Sequence, residues 1–163
     1  LSPYHAETKL GNTNEINHII QQRLNNDAGA IGDFRIGDKI IFTKTNYQSK
    51  YYNGDTGIIT GYNSEKDGII IKLDDSDIEV TVTDESEIEL GFAITIHKSQ
   101  GSEYPEIDIC IPEYSPFITK AVLYTGFTRG KSKVRIWTTK EIYRRILLTP
   151  TPQRKTFISE WAA

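Results

Sequence analysis

The chain has 163 residues, 37% of them hydrophobic and 25% charged, which fits one globular domain with a small insert and argues against disorder. No apolar run approaches the ~20 residues of a membrane span, and the opening residues are too polar for a signal peptide. A formal charge of −3 hides a split: residues 1–116 carry 9 basic and 20 acidic side chains, and residues 117–163 carry 10 basic and 2 acidic. The basic end suits a polyanion such as DNA or nucleotide, and a solvated charge face is the plain alternative. The single cysteine, Cys110, excludes an internal disulfide and reads as a buried thiol in a reducing, cytoplasmic setting. The lack of any methionine reads as an excised piece of a longer protein.

The opening Leu1–His5 reads as the end of a strand entering a loop, since Pro3 disfavours helix before it. Asn12 to Glu15 supplies helix-start residues, and Ile16, Ile19, Ile20 and Leu24 follow at helical spacing, predicting a helix over 14–25. Residues 25–32 form a turn-rich linker.

From Phe34 the pattern becomes alternating and β-branched. Strands are expected at 39–44, 57–62, 68–73, 78–83 and 87–90, separated by turn clusters such as Asn53-Gly54-Asp55. Five short strands with no helix predict a small antiparallel barrel. Helical spacing returns over Phe92–Gln100. A strand at 107–111, a helix at 119–128, a strand at 134–138 and a helix at 140–148 follow, and a docked last turn is expected around Phe157, Ile158 and Trp161. Alternating helices and strands predict a parallel sheet with crossover helices, an α/β unit into which the barrel is inserted.

Two stretches carry chemistry-bearing side chains: ITIHKSQGSEY at 94–104 and VLYTGFTRGKSKV at 122–134. No phosphate loop of the form G-x-x-x-x-G-K-[ST] accompanies them. No metal-ligand spacing connects His5, His18 and His97, so no metal site is expected. Between cations Lys44 and Lys50, the insert offers Asn46, Tyr47, Tyr51, Tyr52 and Asn53, a mixture suited to stacking bases and pairing phosphates of single-stranded DNA.

In this order, and flanking an inserted barrel, the two stretches resemble the T-x-H-K-x-Q-G-S-E and Y-T-A-x-T-R-A motifs of the RecD-like superfamily 1 DNA helicases. The segments LSPYHAETKLGNTNEIN and FRIGDKIIFTKTNYQSKYYNGDTGII resemble that group's entry to the second motor domain and the start of its SH3-like insert. The resemblance extends to about Leu147. It implies an α/β, partial RecA-like domain of the P-loop NTPase type at 1–32 and 91–163, and an SH3-like barrel at 33–90. It implies that Arg129 is a finger on the γ-phosphate of ATP, and that Gln100, Gly101 and Glu103 face the nucleotide. Thr95, His97 and Lys98 would face DNA, with Tyr47 and Asn53 as further contacts.

The same resemblance implies ATP and Mg²⁺ in the intact protein and 5′-to-3′ travel on single-stranded DNA. The partners implied are an upstream first motor domain and exonuclease V-type subunits. A piece lacking the phosphate loop would bind no cofactor alone and hydrolyse no ATP. One departure is that glycines, Gly126 and Gly130, stand where the family usually has alanine, and glycine weakens a helix by about 1 kcal/mol. A competing reading is a stand-alone module that binds nucleic acid or protein without ATPase activity. Nuclease chemistry ranks below both, because no metal-spaced carboxylates are present.

Overall fold

The computed structural model describes residues 1–5, 9–26, 28–74 and 76–150. Two separate apolar cores organise it. One gathers Ile40, Phe42, Tyr51, Ile59, Ile69, Ile71 and Val82; the other gathers Tyr4, Ile96, Ile107, Ile109, Ile111, Leu123 and Ile146. The alternation of the middle third produces the first core and the helix–strand alternation of the last third produces the second.

Helix α1 (Thr13–Leu24) starts where Asn12 accepts the amide of Glu15 at 3.0 Å, while Glu15 accepts the amide of Gly11 at 2.8 Å. The first bond satisfies an amide that the first turn leaves unpaired, and the second ties the residue before the cap to the helix. The hairpin β1 (Ala30–Ile31) and β2 (Phe34–Arg35) follows. Then come β3 (Lys39–Phe42), β4 (Thr56–Asn63), β5 (Gly68–Leu73) and β6 (Glu79–Val82); a single 3₁₀ turn over Glu85–Glu87 leads into β7 (Ile88–Leu90). These five strands form one antiparallel sheet in the order β6-β5-β4-β3-β7, so the last strand returns beside the first. Inward residues alternate along β4, where Gly57 and Ile59 are buried and Ile58 is exposed.

The α/β part is parallel. Strand β8 (Tyr104–Cys110) pairs with β9 (Gly130–Trp137), with α2 (Lys120–Phe127) as the crossover. Arg135 holds Asp108 with two bonds of 2.7 and 2.8 Å and Glu106 with one of 2.9 Å, and the Trp137 indole adds another to Asp108. These bonds, Arg135 first, hold the Asp108 carboxyl far below the usual carboxylate range and pin the register of the two strands. On the other side of β8, Leu1 accepts the amide of Cys110 at 2.8 Å, and Ser2 forms a parallel bridge with Thr95. Residues 94–96, 1–3, β8 and β9 therefore lie side by side. Helix α3 (Lys140–Leu148), capped by Thr139, packs Ile146 into this core and sets Arg145 4.0 Å over the Tyr114 ring.

Two expectations are corrected. The helix expected over Phe92–Gln100 is absent: Ile94 and Ile96 flank the bridge at Thr95, and turns follow to Gly101. β-branched residues in that run suit the extended bridge better than a helix. In α1, Asn17 and Gln21 are buried, Ile16 and Ile20 are half-buried, and Ile19 and Leu24 are 45% and 68% exposed. Cys110 is half-buried, and burial pushes its thiol up. The last turn expected around Phe157, Ile158 and Trp161 lies outside the described residues. Among the described residues no helix is long and apolar enough to cross a membrane.

Candidate functional site

The turn from Thr95 to Gly101 is built by its own side chains. The Thr95 hydroxyl accepts the Lys98 amide at 3.0 Å, and its carbonyl accepts the Ser99 amide at 3.0 Å. Ser99 is fully buried and donates its hydroxyl to the Ile96 carbonyl at 2.8 Å. Burying Ser99 leaves His97, Lys98 and Gln100 exposed on the outside of the turn. Gly101 closes it with φ +90, a conformation that disfavours residues with a Cβ, and nothing lies within 4 Å of where a Cβ would stand. Backbone is thus open to solvent at that point.

The second stretch meets the first at one corner. The Arg129 guanidinium donates to the Ser102 carbonyl at 3.1 Å, to the Thr125 carbonyl at 3.2 Å and to the Thr128 hydroxyl at 3.0 Å. In return the Tyr104 amide donates to the Arg129 carbonyl at 2.8 Å. Among the described residues no carboxylate forms an ion pair with Arg129. Each acceptor is neutral, so the guanidinium is held at the end of α2 by dipoles and no ion pair.

The glycines flanking this arginine have a packing reason. A Cβ on Gly126 would stand 3.0 Å from the Ile109 side chain, and one on Gly130 would stand 2.6 Å from Val134. The missing side chains let α2 and the start of β9 sit close on the sheet, which offsets the helix-weakening effect of glycine.

The other members are placed as follows. Glu103 is exposed and pairs with Lys131 at 3.2 Å. Lys98 reaches Glu89 of β7 at 2.6 Å, joining this turn to the antiparallel sheet. Tyr47 is 81% exposed on the β3–β4 loop, its ring 6.1 Å from that of Tyr52 in an edge-on arrangement. Asn53 is exposed on the same loop, its amide held by the Thr45 hydroxyl at 3.0 Å. Tyr51, grouped with these by sequence, is buried, stacked on Phe42 and hydrogen-bonded to Glu87, and so belongs to the core. Asn46 shapes the loop, accepting the amides of Gln48 and Ser49.

Sequence reasoning did not single out Ser102, Lys131 or Glu89. Their roles come from backbone position and cross-strand neighbours, which residue type does not signal. Among the described residues no cluster of three metal-ligating side chains is found.

Residues 90–137 match the model of the UvrD-like helicase C-terminal domain. Over 125 residues the chain is 35% identical to the RecBCD enzyme subunit RecD of Mycolicibacterium smegmatis, covering 74% of this chain and 22% of that protein. Over 123 residues it is 27% identical to the ATP-dependent RecD2 DNA helicase of Deinococcus radiodurans, covering 72% and 17%. The chain thus spans about a fifth of the length of the curated relatives it matches. In fold it is similar to Pif1 helicase from Bacteroides in complex with ADP-AlF3 and ssDNA, with a TM-score of 0.64 at 18% identity, covering 99% of this chain and 44% of the other.

Proposed function

We propose, from the premise that the chain belongs to the RecD-like helicases and carries their UvrD-like C-terminal domain, that it is the second motor half of an ATP-dependent DNA translocase. The observation carrying this reading is the corner where Arg129 meets Ser102 and Tyr104. It joins the two motifs and presents a guanidinium bonded only to neutral oxygens.

In this reading Arg129 is the arginine finger. A planar fork of donors matches the charge that spreads over a transferring phosphoryl group, and such fingers are worth about 10³–10⁵ in rate. ATP supplies the free energy for movement. Gln100, Gly101 and Glu103 line the nucleotide side: the open backbone at Gly101 admits close approach of a phosphate, and Glu103 is suited to accept ribose hydroxyl bonds. The donor set fits a nucleotide's anionic end but not its Mg²⁺, for which an upstream first motor domain would provide the carboxylates and the phosphate loop.

Thr95, His97 and Lys98 face the DNA backbone, since short hydroxyl, imidazole and ammonium groups donate to phosphate. Tyr47 and Asn53 add contacts from the loop above. In this reading the motor part is 1–32 with 91–163 and the insert 33–90, a division in two that the separate cores support, although Ile31 packs on the insert's core. Strand order β6-β5-β4-β3-β7, with a 3₁₀ turn before the last strand, supports an SH3-like insert. Exonuclease V-type subunits are the partners suggested by the RecD relatives.

The test uses the longer polypeptide that includes the first motor domain. Arg129→Ala should lower ATP turnover by about 10³-fold or more while leaving single-strand affinity nearly unchanged. An unchanged kcat removes the finger assignment.

A further inference from the structure

The antiparallel sheet and the parallel part keep separate cores that share no residue. They stand apart across a cleft of about 430 Å³, lined by Ile16 and Ile20 of α1, Lys39 and Thr56 of the antiparallel sheet, and Tyr104 and Glu106 of β8. Where the two parts meet, Ile41, Ala93 and Ile94 are buried. Apolar burial holds surfaces together but is non-directional. The angle at which the antiparallel sheet stands on α1 therefore needs directional bonds.

Asp38, just before β3, is fully buried. Among the described residues no cation forms an ion pair with it. One carboxylate oxygen accepts the Gln21 side-chain amide at 2.6 Å and the Arg35 backbone amide at 2.8 Å; the other accepts the Asn25 side-chain amide at 2.7 Å. Its backbone carbonyl accepts the Ile59 amide of β4 at 3.0 Å. A carboxylate buried without a cation gives up its hydration, and neutral donors restore only part of it. Adhesion is a poor reason for such a group; three short bonds in fixed directions are a better one.

The same helix holds the other side. One turn before Gln21, Asn17 bonds to Ala93, the residue that leads into the first motif stretch. From Asp38, β3 runs into the loop of Tyr47 and Asn53. Helix α1 thus carries the turn at 95–101 through one amide and that loop through Asp38.

We propose that Asp38 is a positioning residue: it pins the angle of the antiparallel sheet on α1, and with it the separation between the Tyr47–Asn53 loop and the turn at 95–101. Its part in strand movement rests on the motor reading given above.

The experiment measures distance distributions by double electron–electron resonance between spin labels at Ser64→Cys and Lys133→Cys, both exposed positions, in a Cys110→Ser chain. A single narrow distance is expected. Asp38→Ala should broaden it while urea unfolding stays cooperative. Gln21→Met, which removes a donor on the helix side and leaves the Asp38 bonds to Arg35 and Ile59 intact, should broaden it too. Asp38→Asn should restore the narrow distance, since its oxygen still accepts Gln21 and Arg35 and its amide can donate to Asn25 turned over. Narrow distances in Asp38→Ala overturn the pin; if that variant does not fold, narrow distances in Gln21→Met do so. In the longer polypeptide, Asp38→Ala should keep ATP kcat within about twofold and lower strand displacement per ATP about tenfold, the cost of misplaced contacts. A parallel fall in both overturns the positioning role. Absence of ATP turnover in the unsubstituted polypeptide overturns the motor reading instead, and the distances still decide the pin.

Discussion

Asn17 bonds to both backbone groups of Ala93: its side-chain carbonyl accepts the Ala93 amide at 2.7 Å, and its amide donates to the Ala93 carbonyl at 2.9 Å. The same side-chain nitrogen donates to the Leu90 carbonyl at 2.9 Å. One turn on, Gln21 donates to the buried Asp38 carboxylate at 2.6 Å, and Asn25 does so at 2.7 Å. Asn17, Gln21 and the C-capping Asn25, spaced by four, thus present amides along one side of α1, Asn17 toward β7 and the segment leading out of the sheet, Gln21 and Asn25 toward Asp38 just before β3.

Replacing Asn17 by alanine should therefore cost about 2–4 kcal/mol. It leaves the Ala93 amide, its carbonyl and the Leu90 carbonyl short of partners in a buried place, and a buried group without a partner costs about 1–3 kcal/mol. Urea unfolding of the chain and the variant measures this. A loss below about 0.5 kcal/mol would mean that water replaces the side chain, and the bonds would count for little.

Gly101→Val should destabilise the chain by about 1–3 kcal/mol, because a β-branched residue is strained at φ +90. The surrounding space is empty, so no clash contributes. Thermal unfolding reads the strain, and ATP turnover of the longer polypeptide reads the second effect: a side chain where phosphate is expected to approach backbone. Loss of stability with normal turnover would make Gly101 a turn residue alone.

Glu89→Gln should raise single-strand affinity about two- to fivefold at low salt, because Lys98 now spends its charge on Glu89. Lys98→Ala should lower affinity and flatten the dependence on salt by roughly 0.7 in the logarithmic slope, the share of one phosphate contact on a single strand. Titrations at several salt concentrations measure both. If neither variant moves the slope, Lys98 does not touch DNA.

Alkaline pH should weaken the fold at two places. Burial pushes the Tyr4 hydroxyl up to about 12. Burial, with the hydrogen bond to Glu87, does the same for Tyr51. The unfolded chain releases these protons near pH 10. Their contribution is complete below pH 10 and is lost as pH rises from about 10 through about 12. Urea midpoints at pH 8 and pH 11 should fall steeply for the native chain. The fall should be smaller for Tyr51→Phe, which cannot ionise; an identical fall in that variant refutes the assignment.

The elements legible in sequence are those with consistent local signals. Strand β5 and helix α3 have the expected bounds, the first from its β-branched run Ile69–Ile71 after Gly68, the second from the apolar stripe of Ile142, Ile146 and Leu147. Helix α1 was legible, but its buried face was not, since periodicity marks apolar residues and the partners of Asn17 and Gln21 lie far along the chain. The stretch at 92–100 misled because Ile94 and Ile96 fit either period; only the pairing of Thr95 with Ser2 decides, and that is tertiary. At the site, the motif residues were legible as types. That Arg129 bonds to a backbone carbonyl of the other motif depends on how α2 sits on the sheet, through contacts at Gly126 that no residue-type rule supplies.

The setting of Arg129 has a mechanical consequence. A side chain clamped by a carboxylate must break an ion pair before it turns, and that pair would set a threshold for motion. Arg129 is restrained by two carbonyls and a hydroxyl, dipoles that water or an arriving anion replaces one for one. Its reorientation therefore starts without an ion pair to break, and an anion, which forms the stronger charge-assisted bond, would draw it away from these neutral partners.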